Sequence, residues 1–305
     1  MALVPRFNID FMGKRKYMFA LSAFLLVVSI GALGIRGLKF GIEFQGGTAI
    51  NVTDAGNMTD GAMAKAFANA GVPDASVQVS TVNGVRGFLV RTGETDPVKA
   101  NADANKVAAA TGLKADSFQV TTIGPGWGKN ITNSAILALG LSIFAILLYV
   151  SLRFEYKMSV TAVIALIHDI IITLGIYALF GREVTPNTVA ALLSILGFSL
   201  YDTIVVFHRI KENSVGLVKQ SFMSMGNESI NEVLVRSINT TLTAVIPVVV
   251  MLFFGGSTLK DFAFALTIGT VSGAYSSIGV AAPLFAIWKE IEPKFKALAK
   301  KFANA

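Results

Sequence analysis

Four ionisable side chains within or beside long apolar stretches of this sequence are the first candidates for chemistry. His168 and Asp169 are neighbours in one stretch, Asp202 follows Tyr201 in the next, and Arg236 opens a third. An ionisable group in hydrocarbon costs at least about 2.5 kcal/mol on insertion scales, so such groups usually carry a function. Carboxylates, imidazoles and phenols exchange protons with their surroundings. We therefore predict that these four residues, together with Tyr201, form a proton-coupling set.

Two of these positions have a second interpretation that the residues alone leave open. His168 and Asp169 lie roughly 15 Å deep at about 1.5 Å per residue, where they form either an interior hydrogen-bonded pair or part of a proton passage. Arg236 is either an anchor whose charge reaches the membrane surface or the partner of Asp202, because a buried pair satisfies both charges. For Asp202, a lone carboxylate followed by an apolar run, we predict a proton-carrying role.

The residue inventory excludes several other kinds of chemistry. The 305 residues include no cysteine and only two histidines, so disulfides, thiolate metal sites and cysteine nucleophiles are excluded. The sequence shows no nucleophile triad, no paired carboxylate cleft, no phosphate-cradling glycine loop and no metal-ligand spacing. We therefore expect a protein that is not an enzyme and that holds no metal and no cofactor.

The elements that must position these side chains follow from the hydropathy of the chain. Hydrophobic residues make up 53% of the sequence and charged residues 15%, and the mean hydropathy is +0.62. Soluble domains carry about 25% charged residues, and a run of about 20 apolar residues crosses the bilayer as a helix. Six such spans are predicted: Tyr17 to Ile35, Ser134 to Leu152, Ser159 to Phe180, Asn187 to Phe207, Leu234 to Phe254 and Phe262 to Trp288.

The positions of Lys and Arg predict the orientation of these spans. An even number of spans places both termini on one side, and fifteen basic residues fall on that side, against Arg182 and Lys260 in the opposite short loops. Short cytoplasmic loops carry the excess of positive charge. Residues 1–16 and the basic segment 289–305 are therefore predicted to be cytoplasmic, helix 1 covers 17–35, and helices 2 to 6 with short loops cover 134–288. Because the cations lie at span ends, the net charge of +7 does not indicate nucleic-acid binding.

Residues 36–133 are predicted to form a small exported α+β domain and a linker. The order is that of a ferredoxin-like β-α-β-β-α-β unit, and Asn83-Gly84 is typical of a two-residue turn between strands. A glycine-rich segment at Gly124, Pro125, Gly126 and Gly128 predicts a hinge-like linker into the second span. The predicted strands and helices are strand Thr48 to Val52, helix Thr59 to Ala70, strand Ser76 to Val82, strand Val85 to Arg91, a helix opened by Asp96 and closed by Gly112, and strand Ser117 to Ile123.

The sixth span carries small residues at every fourth position, namely Gly269, Gly273, Ser277 and Ala281. Small residues at this spacing let two helix backbones approach closely. We therefore predict a helix-packing face along this stripe, without a role in chemistry.

Five segments of the chain resemble the SecF family of bacterial protein-export subunits, in the order that the family has them. GIEFQGGT at 41–48 is similar to the family's GIDFTGGT, and GFSLYDTIVVFHRIKEN at 197–213 matches its most specific motif. Four positions depart from the family pattern, namely Glu43, Gln45, Tyr201 and His208. The other three segments are LRFEYKMSVTAVIALIHDI at 152–170, INEVLVRSINTTLT at 230–243 and FGGSTLKDFAFAL at 254–266.

This resemblance implies a multi-pass protein of the bacterial inner membrane whose small domain is periplasmic and whose six spans are similar to half of an RND-type exporter. It implies SecD, the SecYEG channel and YajC as partners, and an exported unfolded polypeptide and protons as what is moved. By the same resemblance, Asp202 and Arg236 take part in proton use. The motif beside the periplasmic domain places Gly41, Glu43, Gly46, Gly47 and Thr48 at a further site.

Two other functions fit part of the same pattern. An RND-type half-transporter that exports a lipid or a small molecule would also have six spans and a buried carboxylate, but its exported domains are normally larger. A passive membrane scaffold would have no need for Asp202.

Overall fold

The computed structural model describes residues 8–82, 85–255 and 257–303. Six helices in this described part are long and apolar enough to cross a membrane, which confirms the six predicted spans. The helices are α1 Arg15–Arg36, α2 Ile42–Gln45, α3 Asp60–Asn69, α4 Pro97–Thr111, α5 Pro125–Arg153, α6 Tyr156–Phe180, α7 Pro186–Ser214, α8 Phe222–Phe254, α9 Ser257–Ser276, α10 Ala282–Glu290 and α11 Pro293–Ala303, and the strands are β1 Lys39–Phe40, β2 Gly47–Val52, β3 Ser76–Val82, β4 Val85–Thr92, β5 Phe118–Ile123 and β6 Glu183–Val184.

The long helices have local start and stop signals. Pro125 and Pro186 each stand at the first helical position of α5 and α7, where a proline's fixed φ suits the helix and its missing N–H costs nothing. Gly181 ends α6 in the left-handed conformation with φ of 62°, as glycines after helices commonly do. The sixth span is helix α9, a five-residue π-helix at Ser277–Ala281, and then α10.

The membrane helices pack around α9, which contacts α6, α7 and α8, while α1 lies against α6. Gly175 of α6 allows the α1 contact, because a Cβ at this position would lie 2.1 Å from Ser29 Cβ. In the most apolar stretches of α5 and α8, only 6% of the residues are buried, so most apolar side chains there are accessible. These two helices thus present the surface that lipid or a partner protein covers.

The small domain is a four-stranded antiparallel sheet in the order β3-β4-β2-β5, with α3 and α4 as its helices. The register pairs Ile50 with Val90 and, on the other side, with Val120. Its core is separate from that of the membrane helices and centres on Ile50, Met63, Phe67, Phe88 and Val107, each at most 2% exposed. The predicted Asn83-Gly84 turn lies outside the described residues.

The predicted hinge-like linker at Gly124 to Gly128 is wrong. Helix α5 begins at Pro125, so Gly126 and Gly128 lie in its first turns. A Cβ at Gly128 would lie 2.5 Å from the Phe44 carbonyl oxygen, and the glycine therefore serves close packing against α2. Composition alone could not separate a flexible glycine from one that admits a neighbouring backbone.

Candidate functional site

Asp169 lies in α6 at the centre of a hydrogen-bonded cluster that spans three helices. Its Oδ1 accepts from Ser272 Oγ at 2.7 Å, and its Oδ2 accepts from Ser199 Oγ at 2.7 Å and from Ser276 Oγ at 2.8 Å. His168 Nδ1 lies 3.1 Å from Asp169 Oδ1. We call Asp169 with these three serines the serine-bonded carboxylate; it ties α6 to α7 and α9.

The predicted neighbours His168 and Asp169 therefore do contact each other, in a fully enclosed site. Asp169 is 0% exposed and His168 is 4% exposed. His168 Nε2 is buried with no hydrogen-bond partner among the described residues. The geometry is that of an interior hydrogen-bonded pair, because three further donors already satisfy the carboxylate.

The three serines were missed as functional positions. Ser272 and Ser276 are four residues apart and therefore share one face of α9, next to the small-residue stripe. Ser199 lies within the most specific motif, three residues before Asp202. Polar residues that repeat at helical spacing within an apolar span were the available signal, although the sequence does not say which carboxylate they meet.

Asp202 of α7 lies on the wall of a cavity of about 330 Å³ between α7, α8 and α9. The residue is 8% exposed, and Thr241 Oγ1 donates to its Oδ2 at 3.4 Å. A lightly bonded carboxylate beside an open cavity has room to gain or lose a proton. We call this space the Asp202 cavity; it is lined by Phe198, Tyr201, Asp202, Thr240, Thr241, Thr243, Ala244, Thr270 and Ala274.

Of the two interpretations of Arg236, the direct ion pair with Asp202 is not formed in the structure. Its Nη2 donates to the Tyr201 hydroxyl at 2.8 Å, and its guanidinium carbon lies 5.9 Å from the centre of the Tyr201 ring. The phenol intercepts the cation because Tyr201 projects outward from α7 and is 48% exposed, whereas Asp202 points inward.

The predicted packing stripe on α9 faces α7. A Cβ at Gly269 would lie 2.2 Å from Ile195 Cδ1, and one at Gly273 would lie 2.8 Å from Ser199 Cβ. Ser277 Oγ lies 2.8 Å from Thr203 Oγ1 and starts the π-helix. The two glycines bring α9 close enough to α7 for Ser276 and Ser199 to reach the same carboxylate.

The segment 41–48 joins the small domain to the membrane helices. The Gly41 N–H donates to the Val184 carbonyl at 2.9 Å, beside the short parallel pairing of β1 with β6. Gly46 and Gly47 both have positive φ, at 81° and 128°. A Cβ at Gly47 would lie 2.4 Å from the Thr92 carbonyl oxygen, so this position requires glycine.

The two other predicted residues of this segment make different contacts. Thr48 Oγ1 donates to the Glu94 carbonyl at 2.7 Å and lies 2.8 Å from Thr122 Oγ1, which ties β2 to β5 and to the segment after β4. Glu43 Oε2 is buried and has no partner among the described residues. The segment is therefore a structural joint that carries one unsatisfied carboxylate oxygen.

Comparisons with known proteins agree on one family. Residues 103–291 match a family model described as "Protein export membrane protein SecD/SecF, C-terminal", and residues 31–53 match one described as "SecD/SecF GG Motif". The protein translocase subunit SecF of Streptomyces coelicolor is 42% identical over 96% of this chain and 80% of its own length. SecF of Desulfurispirillum indicum is 37% identical over 97% of both chains.

A solved structure shows the same architecture. The crystal structure of SecDF from Thermus thermophilus superposes with a TM-score of 0.85 at 34% identity, over 95% of this chain. The chain spans 40% of the length of that protein.

Proposed function

Since this chain belongs to the SecD/SecF family of protein-export membrane proteins, we propose that it is a SecF subunit that acts with SecD to drive export through the SecYEG channel at the expense of the proton gradient. The family gives it a role in Sec protein translocation. An unfolded polypeptide is the exported substrate, and YajC is a further partner of the assembly. No covalent step is required of any residue.

The assembly with SecD is supported by the length of the related SecDF chain. This chain aligns with 39% of the translocase subunit SecDF of Thermus thermophilus, so the remainder of that protein is available to supply the partner half. The sparsely buried helices α5 and α8 provide an apolar surface for such a half. We place the protein in the bacterial inner membrane with both termini cytoplasmic.

The small domain of residues 47–123 is proposed to be a ferredoxin-like periplasmic domain. Its antiparallel order β3-β4-β2-β5 and the alternation of its strands and helices support this assignment. A domain with its own core can move as a unit against an emerging polypeptide.

The Asp202 cavity is the observation that carries the proton-coupling proposal. Asp202 lies within the membrane helices, accepts a long hydrogen bond from Thr241 at 3.4 Å with Thr240 beside it, and borders the Asp202 cavity. Nearby, the Arg236 guanidinium donates to the Tyr201 hydroxyl and acts on Asp202 through its charge. Burial disfavours an ionised carboxylate and a nearby guanidinium favours it, so a shift of α8 relative to α7 changes the protonation of Asp202.

Asp202→Asn tests this role, because it preserves the size of the side chain and removes its charge. We expect the variant to assemble with SecD, as judged by co-purification, while the proton-gradient-stimulated fraction of preprotein export into membrane vesicles is lost. Arg236→Lys keeps the charge but lacks the forked donor geometry, and we expect partial loss. If Asp202→Asn responded normally to the gradient, Asp202 would have a packing role instead.

A pair of threonine variants provides the matched control. Thr241→Val removes a hydroxyl that donates to Asp202 at 3.4 Å, and we expect reduced stimulation. Thr267→Val removes a hydroxyl that donates only to the Ala263 carbonyl of its own helix at 2.8 Å, and we expect export equal to that of the unchanged protein. Equal loss in both variants would indicate general damage to helix packing.

A further inference from the structure

Glu183, in the loop between α6 and α7, holds the small domain against the membrane helices. Its Oε1 accepts from Arg91 Nη1 of β4 at 2.5 Å and from Gln78 Nε2 of β3 at 3.1 Å. We call this set of three side chains the docking contact. It lies at the edge of a cavity of about 740 Å³ between the sheet and the outer ends of the helices.

The side chains of the docking contact are largely buried, and Glu183 uses only one of its two carboxylate oxygens in it. The Glu183 side chain is 8% exposed and that of Arg91 is 15% exposed. The second oxygen, Glu183 Oε2, is buried and has no hydrogen-bond partner among the described residues. A buried carboxylate that is only half satisfied weakens the contact it makes, even where the other oxygen is paired.

The charges that face Glu183 come from every element around it. Arg91 of β4 and Lys39 of β1 are positive, whereas Asp261 of α9 and Glu43 of α2 are negative. Asp261 is itself paired with Arg182, whose Nη1 lies 2.9 Å from Asp261 Oδ1. The ionised form of Glu183 therefore has the close cation Arg91, the weaker cation Lys39 and two carboxylates in its surroundings.

A metal ion does not offer an alternative way to neutralise this charge. No group of three or more His, Cys, Asp or Glu side chains in the described part of the chain is arranged to hold a metal ion. A proton requires only the free oxygen, and Glu183 Oε2 provides it.

We propose that Glu183 is a positioning residue for the exported domain, which stays docked when Glu183 is protonated and loosens when Glu183 is ionised. This inference rests on the proposed function only in placing the domain on the outer side of the membrane. There, the proton concentration that drives export would act directly on the position of the domain, separately from Asp202.

The direction of the pH dependence follows from linkage. Burial raises the pKa of the Glu183 carboxyl above its usual value; Arg91 opposes the shift, Asp261 and Glu43 add to it, and Lys39 opposes it more weakly. When the domain undocks, the Glu183 carboxyl becomes exposed and its pKa returns to the ordinary glutamate range. A group whose pKa is higher in the docked state favours docking at low pH, and this contribution is lost as the pH rises through the raised value.

The test measures the position of the domain in the purified full-length protein. The chain has no cysteine, so spin labels can be attached at Asp74→Cys in the small domain and Leu259→Cys at the start of α9, both exposed positions. Electron-electron distance measurements between about pH 4 and about pH 8 bracket an ordinary and a raised carboxyl pKa. We expect one narrow distance at low pH and a growing longer-distance population as the pH rises.

Glu183→Gln supplies a neutral side chain that still accepts hydrogen bonds from Arg91 and Gln78. We expect the narrow distance at every pH, with the pH dependence lost. Arg91→Gln removes the close cation, and we expect the longer-distance population to be larger than in the unchanged protein at high pH. Asp116→Asn, at an exposed carboxylate of the same domain, should leave the profile as it is.

Two results would overturn the proposal. One is a Glu183→Gln profile that follows that of the unchanged protein, and the other is a single pH-independent distance in the unchanged protein. Neither readout involves export, so the docking proposal can be tested separately from the proton-coupling proposal. If the domain docked as expected but Asp202→Asn still responded normally to the gradient, the proton-coupling proposal would be rejected and the docking proposal would stand.

Discussion

At the scale of single residues, Asp169 and Asp202 show how two carboxylates in neighbouring helices receive different surroundings. Asp169 accepts hydrogen bonds from three serine hydroxyls and lies beside His168. Asp202 accepts a longer bond from Thr241, at 3.4 Å, and has Thr240 and a cavity beside it. The hydrogen bonds to Asp169 hold three helices together, whereas the cavity beside Asp202 leaves room for its protonation state to change. These surroundings support the proposal that Asp202 exchanges protons while Asp169 has a structural role.

Asp169→Ala should destabilise the protein, because it leaves three buried hydroxyls without their acceptor. Hydrogen bonds between membrane helices contribute about 0.6 kcal/mol each, so loss of this cluster costs about 2 kcal/mol. Thermal unfolding in detergent measures the effect as a lower Tm. Asp116→Asn serves as the control on an exposed carboxylate, and an unchanged Tm for Asp169→Ala would show that the cluster does not hold the helices together.

At the scale of elements, the first turns of α5 contain two glycines with different surroundings. A Cβ at Gly128 would meet the Phe44 backbone at 2.5 Å, whereas a Cβ at Gly126 would have nothing within 4 Å. The contact between α2 and α5 thus depends on one glycine and tolerates change at the other. Since α2 leads directly into β2, the rotation of α5 helps to set the position of the small domain.

Gly128→Ala should separate α2 from α5 and cost about 1 to 3 kcal/mol, as overpacking in a tight contact does. Gly126→Ala should be neutral or stabilising by about 0.5 kcal/mol, because alanine favours a helix more than glycine does. Denaturation of the two variants in parallel gives the comparison. If Gly126→Ala and Gly128→Ala destabilised the protein equally, the result would favour a flexible hinge at Gly124 to Gly128 over the helical start of α5.

At the scale of the whole molecule, the described parts of both termini meet at the same end of the bundle. The Phe11 N–H donates to Asn227 Oδ1 at 2.8 Å at the start of α8, and the rings of Phe222 and Phe295 lie 4.8 Å apart between α8 and α11. The small domain lies at the opposite end, over the loop that contains Glu183. Two termini at the same end of the bundle agree with an even number of membrane-spanning helices.

Cysteine labelling tests the orientation of this arrangement in the membrane. Asp74→Cys lies in the small domain and Lys219→Cys in the loop before α8, and both positions are exposed. We expect an impermeant maleimide to label the first variant in intact spheroplasts and the second only after lysis, because the proposed orientation places the basic end in the cytoplasm. The reverse pattern would reverse the orientation.

The sequence by itself determined the features that depend on a short stretch of chain. A span is a run of about 20 apolar residues, so six helices could be predicted before any packing was known. The positions of strands and helices in residues 47–123 likewise follow local patterns of apolar and β-branched residues. Asp202 stood out for the same reason, as a carboxylate within an apolar run.

Only the tertiary structure decided which side chains meet. Ser199, Ser272 and Ser276 converge on Asp169 because the rotation and separation of α6, α7 and α9 bring them together. Arg236 bonds to Tyr201 instead of Asp202, since adjacent residues on a helix point about 100° apart and the outward one reaches the cation first. The contact of Glu183 with Arg91 joins positions 92 residues apart, and no local pattern encodes such a pairing.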